Sequence, residues 1–258
     1  MIKILAISSV TIREAIRQKL AVNLLVFALA LVAASFTIST LTFGEQYRVI
    51  VSIGLSAIEG FGTLIAVFLG AGLVAGDVQR RTVYPIVAKP VSRAQYVAGR
   101  YLGLVATTTL NLAVMAVVFA GVLAFYLGGL GFLRSTPFVS TLAAIALQLA
   151  MIAAVAVLFS TFTTATLAAI FALSLVVAGH LASDLVRYWS AQGAGLGVLG
   201  KAIYVLVPNL EALNFKEAMV YKDALGAGRL LSSLAYGVLY SVGVTAVAAA
   251  IFTRRDLR

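Results

Sequence analysis

The sequence contains no cysteine, one histidine, one tryptophan and four prolines in 258 residues. The missing cysteine excludes disulfides, thiolate metal sites, a cysteine nucleophile and cysteine lipidation. A lone histidine, His180, argues against a histidine-built metal site within one chain. Charge is also scarce. Only 11% of residues are Asp, Glu, Lys or Arg, against roughly 25% in a soluble domain. Acids are rarest, 9 against 19 basic residues, so the net charge is +10.

Apolar residues fill the space that charge leaves. The chain is 62% hydrophobic with a mean hydropathy of +1.07. No soluble fold of this length buries that much apolar surface, so the expected solvent is a lipid bilayer. The basic residues lie beside apolar blocks, not along one contiguous face. That is the pattern of membrane orientation and not of nucleic-acid binding.

A spanning helix needs about 20 apolar residues. Leu20–Leu41, Ile50–Val74, Tyr101–Leu127, Val139–Phe159, Thr166–Val186 and Leu230–Phe252 meet that requirement. The expected fold is therefore all-α and integral to the membrane, a single domain of six transmembrane helices with both termini on one side. The first stretch is longer than a signal-peptide core, and the expectation is that it is retained. Lys3, Arg13, Arg17 and Lys19 precede it. Arg80, Arg81, Lys89, Arg93 and Arg100 lie between the second and third spans, and Arg254, Arg255 and Arg258 follow the sixth. These make up the larger share of the 19 basic residues. The face that carries them is expected to be cytoplasmic, in a plasma or bacterial inner membrane.

Residues 3–19 read as an interfacial amphipathic helix. Leu5, Ile12 and Ile16 form a narrow apolar stripe, with Ile2 at its edge. Lys3, Glu14, Arg17 and Gln18 fall opposite, with Arg13 on the flank. Ser8 and Ser9 interrupt the stripe, and Ile7 and Val10 sit among the polar residues. Such a helix lies on the membrane surface with its apolar side in lipid. The alternative is a plain extension of the first span.

Residues 76–100, GDVQRRTVYPIVAKPVSRAQYVAGR, are the long polar interruption in the first half of the chain. Ser92 and Gln95 form a Ser-x-x-Gln capping box, so a helix begins there and continues into the third span. Arg81 to Ala88 is a short helix candidate ended by Pro90, because Lys89 before it is pushed out of helical geometry. Tyr84, Ile86 and Val87 are apolar residues ringed by Arg and Lys. That combination suits either a protein-docking surface or a loop touching lipid headgroups.

Gly193 to Lys201, GAGLGVLGK, carries both a GxGxxG and a GxxxxGK spacing. Ala202 stands where a phosphate-binding loop needs Ser or Thr, and no strand precedes either match. The segment therefore reads as an outer loop, and no nucleotide site is expected on this chain. Ionisable and amide residues inside spans need a reason, because a charge at the bilayer centre costs roughly 2.5–3.5 kcal/mol. Glu59, Asn111, Gln148, His180 and Asp184 are the candidates for a translocation path or gate. His180, Asp184 and Arg187 share one helix face, and the favoured reading of these three is a local cluster that anchors the helix end at the interface. Glu59 has no neighbour in its own helix that can pair with it. Gly72-x-x-x-Gly76 and Gly99-x-x-x-Gly103 permit close helix contacts of the kind a second copy makes, although such spacings recur by chance in glycine-rich chains. Within the polar extracytoplasmic segment 188–229, Ala202–Leu206 and Leu213–Leu225 are candidates for short helices.

The residues Asp77, Arg81-Thr82, Lys89-Pro90-Val91-Ser92-Arg93, Tyr96, Gly99-Arg100 and Gly103 resemble the cytoplasmic signature of ABC-2 type transporter permeases. Arg100 stands where that signature usually has Lys, and Pro85 is unusual within it. Shorter likenesses are Gly179-His180 with Asp184-Leu185, Val207-Pro208-Asn209-Leu210 with Leu213-Asn214-Phe215, and Phe252 with Arg254-Arg255-Asp256-Leu257. The resemblance implies a permease that pairs with a second permease copy and sits on two separate P-loop ATPase subunits holding ATP and magnesium. This chain would bind no cofactor and hydrolyse nothing itself. Arg80, Arg81, Thr82, Tyr84, Pro85, Ile86, Lys89, Pro90 and Arg93 would form the coupling element, with Tyr84 and Ile86 as its apolar plug and Lys89 and Arg93 facing acids or lipid phosphates. An exporter is the family expectation. An ATP-independent channel or scaffold, or an intramembrane lipid-modifying enzyme built on His180 and Asp184, are the readings that dispense with coupling.

Overall fold

A computed structural model of the chain describes residues 2–40, 44–79, 92–191, 207–221 and 226–254. Among them there is no strand. The elements are α1 (Ile2–Ile16), α2 (Lys19–Ser39), α3 (Gln46–Gln79), α4 (Arg93–Leu127), α5 (Thr136–Ser160), α6 (Ala165–Ala191), α7 (Lys216–Tyr221) and α8 (Ala227–Arg254), with 3-10 turns at Gly131–Arg134 and Glu211–Leu213. Six of these helices are long and apolar enough to cross a membrane: α2, α3, α4, α5, α6 and α8. The all-α, six-helix fold expected from hydropathy is the fold observed.

Local chemistry explains several boundaries. Ser92 is an extended N-cap whose hydroxyl accepts from the Gln95 amide at 3.2 Å, while the Gln95 side chain accepts from the Ser92 amide at 3.2 Å. This is the capping box read in the sequence. Gly128 ends α4 in the left-handed region, at φ 69°, where a side chain would be strained. Pro137 lies in the first turn of α5, where its missing N–H costs nothing. The helices outrun the apolar stretches they contain. α3 has 34 residues, about 51 Å at 1.5 Å per residue, against a hydrocarbon core of about 30 Å. Hydropathy stops where polar residues begin, but helical hydrogen bonding does not.

α3 is the central helix and packs against α2, α4, α5, α6 and α7. Glycines let it approach closely: a Cβ on Gly54 would lie 2.5 Å from the Phe119 ring, and one on Gly70 2.7 Å from the Ala156 Cβ. α8 closes the bundle against α5 and α4. The outward faces stay apolar and exposed, as at Phe27, Val117, Phe125 and Leu239, which is the surface a bilayer solvates.

The bundle has two polar ends. The C-termini of α3 and α8 and the N-terminus of α4 meet at the end called proximal here. The N-terminus of α3, the N-terminus of α5 and α7 meet at the distal end. α1 packs along the proximal half of α4. It presents Ser8, Thr11 and Ala15 to the bundle as buried residues, while Leu5 and Ile16 of the apolar stripe remain exposed and Ile12 is half-buried.

Candidate functional site

The proximal cluster is built around Arg100. Asp77 comes from the last turns of α3, Tyr96 and Arg100 lie one turn apart on α4, and Thr11 and Glu14 lie one turn apart on α1. The Arg100 guanidinium and the Tyr96 hydroxyl both donate to Asp77 Oδ2. Arg100 Nη1 donates to Glu14 Oε2 at 2.7 Å and to Thr11 Oγ1 at 3.3 Å, and its Nε donates to the Tyr96 oxygen at 3.4 Å. Arg100 is 4% exposed and Tyr96 is 1% exposed. A buried charge survives only when paired and hydrogen-bonded. The five donors of a planar guanidinium suit this junction of three helices as an ammonium would not.

Small residues make the junction tight. Ser8 Oγ donates to the Gly99 carbonyl at 2.9 Å. A Cβ on Gly99 would lie 2.8 Å from Ile7 Cβ, and one on Gly103 would lie 2.5 Å from Thr11 Cβ. The Gly99–Gly103 pair is thus occupied by α1 of the same chain and not by a second copy. The serine that interrupts the apolar stripe, and the isoleucine stranded among polar residues, are the residues that seat α1. Glu14, grouped with the solvated side by periodicity, turns inward to Arg100. On the far side of α4, the Tyr96 ring stacks on Phe252 with centroids 5.7 Å apart. Arg93 Nη1 donates to the Thr253 carbonyl at 3.3 Å, placing a cation at the C-terminus of α8, where the helix dipole favours it.

Of the coupling residues read in the sequence, Arg93 is the one the structure describes. Arg80, Arg81, Thr82, Tyr84, Pro85, Ile86, Lys89 and Pro90 lie outside the described residues, as do Gly193 to Lys201 and the helix expected over 202–206. The residues on either side of 80–91 are nonetheless defined: Asp77 precedes that segment, and Ser92, Tyr96 and Arg100 follow it.

The distal cluster centres on Glu59. Gln148 Nε2 of α5 donates to Glu59 Oε1 at 2.6 Å, His180 Nε2 of α6 lies 3.1 Å from the same oxygen, and Lys216 Nζ of α7 lies 2.5 Å from Oε2. Glu59 is 6% exposed. Three of the polar span residues picked out in the sequence, Glu59, Gln148 and His180, are therefore brought together. Asn111 stays half-buried on α4 and takes no part. The Asp184 side chain lies outside the described residues. His180 turns across the bundle to Glu59, so it is more than part of a local group at its own helix end. Lys216 was not among the residues singled out. Its signal was available in principle: a lysine at the start of a short apolar helix beside the membrane.

Further bonds stitch the distal segment over the bundle. Thr141 Oγ1 donates to the Phe215 carbonyl at 3.0 Å and the Tyr47 hydroxyl to the Met219 carbonyl at 3.1 Å. The Leu210 amide donates to the Gly179 carbonyl at 3.3 Å, and the Asn209 amide to the Tyr236 oxygen at 2.9 Å. The segment 207–221 thus forms a cap tied to α3, α5, α6 and α8. The α7 helix, Lys216–Tyr221, lies inside the longer stretch expected to be helical, and Leu213 ends a 3-10 turn.

A family model described as ABC-2 family transporter protein matches residues 5–257. The chain belongs to that family. It is an integral membrane protein and a permease of the ABC-transporter type, the membrane component and not the catalytic one. No curated protein matches the chain.

Proposed function

We propose that this permease forms the transmembrane path of an exporter and is driven by two separate P-loop ATPase subunits, which hold the ATP and magnesium. On this reading the proximal end is cytoplasmic, and residues 80–90 are the coupling element that docks in the ATPase, with Tyr84 and Ile86 as the apolar contact. The observation that carries the reading, beyond family membership, is the Arg100 junction. Both chain ends that flank the coupling segment are held in one buried cluster with α1, so a push on the segment is delivered to α3 and α4 together. Rigid elements with satisfied buried contacts transmit displacement in this way.

The exposed Leu5 and Ile16 with Ile12 suit a lipid-facing side for α1 at the membrane interface. The distal cap and its Glu59 cluster then close the extracytoplasmic mouth. A second permease copy completes the path. The open faces of Gly72 and Gly76, where an added Cβ meets nothing within 4 Å, leave α3 free to receive one.

The test is co-purification from the native membrane in mild detergent. A stoichiometric P-loop ATPase, lost on Tyr84→Asp with Ile86→Asp, is the expected result. Recovery of the permease alone across several detergents with ATP present overturns the coupling assignment.

A further inference from the structure

Glu59 is met by polar side chains from three different helices and has almost no exposed surface. It is not a vacant ligand site; it is the knot of a tie between the cap and the bundle. Among the described residues, the ion pair joining α7 to α3 is Lys216 to Glu59.

His180 is the member of this knot that can change its charge without moving. Its Nδ1 lies 3.0 Å from the Val176 carbonyl. A carbonyl only accepts, so Nδ1 carries a proton. Nε2 is left facing two groups, the Gln148 amide nitrogen at 3.4 Å and Glu59 Oε1 at 3.1 Å. Without a proton, Nε2 accepts from Gln148. With one, it donates to Glu59. The side chain is 37% exposed, so Nε2 is not sealed inside the bundle. Among the described residues, the charged groups facing it are Glu59 from α3 and Lys216 from α7. α5 presents the neutral Gln148, and Glu211, in the turn packed on α6, bonds Asn214 instead.

We infer that His180 is a proton-responsive positioning residue for the cap: a proton on Nε2 sets a second cation on the carboxylate that holds Lys216, and so loosens α7 from the bundle. The argument is one of repulsion across a shared carboxylate, since His180 meets Oε1 of Glu59 and Lys216 meets Oε2. Like charges gathered on one nearly buried carboxylate repel each other. This goes beyond the transport reading, because it gives the distal cap a control that requires no partner ATPase.

Two scarcities in the sequence make the test clean. The chain has no cysteine and one histidine. Ala218→Cys places a single thiol on the buried side of α7, and Glu217→Cys places one on its exposed side. In nanodiscs of the full chain, the rate of labelling by a polar maleimide at position 218 is divided by that at 217, which removes the thiol's own pH dependence. On going from roughly pH 7.5 to roughly pH 5.5, the range in which a histidine changes charge, the ratio is expected to rise about five-fold or more. His180→Gln abolishes the rise, and Lys216→Gln raises the ratio at both pH values. The imidazole of His180, observed by nitrogen NMR in the otherwise unaltered chain, gives an independent reading that needs no variant. Its titration coincides with the rise in labelling. A ratio that does not change with pH, an equal rise in His180→Gln, or an imidazole that titrates where the ratio is constant each overturns the inference.

Discussion

Arg100 and Asp77 form a buried ion pair across the two helix ends that flank residues 80–91. The side chains come from positions 23 apart in sequence, on α4 and α3, and the same guanidinium reaches Glu14 and Thr11 on α1. One arginine therefore fixes the relative position of three helices at the end that carries the proposed coupling segment.

Arg100→Gln should be among the most damaging single changes in the chain. It leaves the Asp77 carboxylate buried without its cation, which costs about 3–5 kcal/mol. Arg100→Lys should recover part of that loss and no more. An ammonium can satisfy Asp77, but it cannot also reach Glu14, Thr11 and the Tyr96 oxygen in the geometry of a guanidinium. Thermal unfolding of the purified chain in detergent gives the order: unchanged protein, then Lys, then Gln. Equal stability of the Lys and unchanged forms would mean that the bonds to α1 contribute nothing.

Gly103→Val should detach α1. Even the first carbon of the new side chain meets Thr11 Cβ at 2.5 Å and the Ser8 carbonyl at 2.8 Å. Overpacking of this kind costs about 1–3 kcal/mol, and here α1 can escape it by lifting off. The expected observation is faster proteolytic cleavage within the first sixteen residues while the remaining helices stay protected. Gly121→Val is the control, since a Cβ there meets nothing within 4 Å. Unchanged cleavage in Gly103→Val would show that α1 is held without this contact.

Hydropathy made the six long helices legible, and the Ser-x-x-Gln pattern marked the start of α4, because both signals are local. The clusters were legible only in part. Glu59, Gln148 and His180 could be picked out as polar residues in apolar spans, since each violates its surroundings. Nothing in sequence spacing joins positions 59, 148 and 180, or adds Lys216 to them, because that contact arises from the packing of four helices. The side of α1 that packs on the bundle was not legible for a related reason. A helical periodicity argument sorts residues by polarity, but α1 is seated by small residues, and Ser8 and Thr11 pack against the glycines of α4. Size complementarity leaves no trace in a hydropathy pattern.

The Glu59–Lys216 pair should show strong coupling in a double-mutant cycle. Glu59→Gln leaves an ammonium facing a neutral amide, and Lys216→Met leaves a buried carboxylate short of its cation. Each single change should therefore lower stability by a few kcal/mol, about 3 at most sites of this kind. The double change removes both charges and should destabilise by less than the sum, with a coupling energy of about 1–3 kcal/mol. Thermal or denaturant unfolding in detergent measures all four corners. Strict additivity would show that the two side chains do not stabilise each other.

If the cap must move during the transport cycle, holding it should stop the cycle. Thr141 and Phe215 are suited to the purpose. The threonine hydroxyl reaches the Phe215 carbonyl at 3.0 Å, which makes Thr141→Cys with Phe215→Cys the pair for a disulfide, a bond that forms when the Cα atoms come within about 7 Å. With no native cysteine, the new bridge has no competitor. Phe215 is 2% exposed, and its replacement alone loosens packing, so the reduced double variant is the proper reference. In a preparation containing the proposed partner ATPase, oxidation should suppress transport-coupled ATP turnover and reductant should restore it. A fully formed bridge with unchanged turnover would assign the cap a fixed structural role. Motion would then be confined to the proximal half, where Arg100 ties α1, α3 and α4 together.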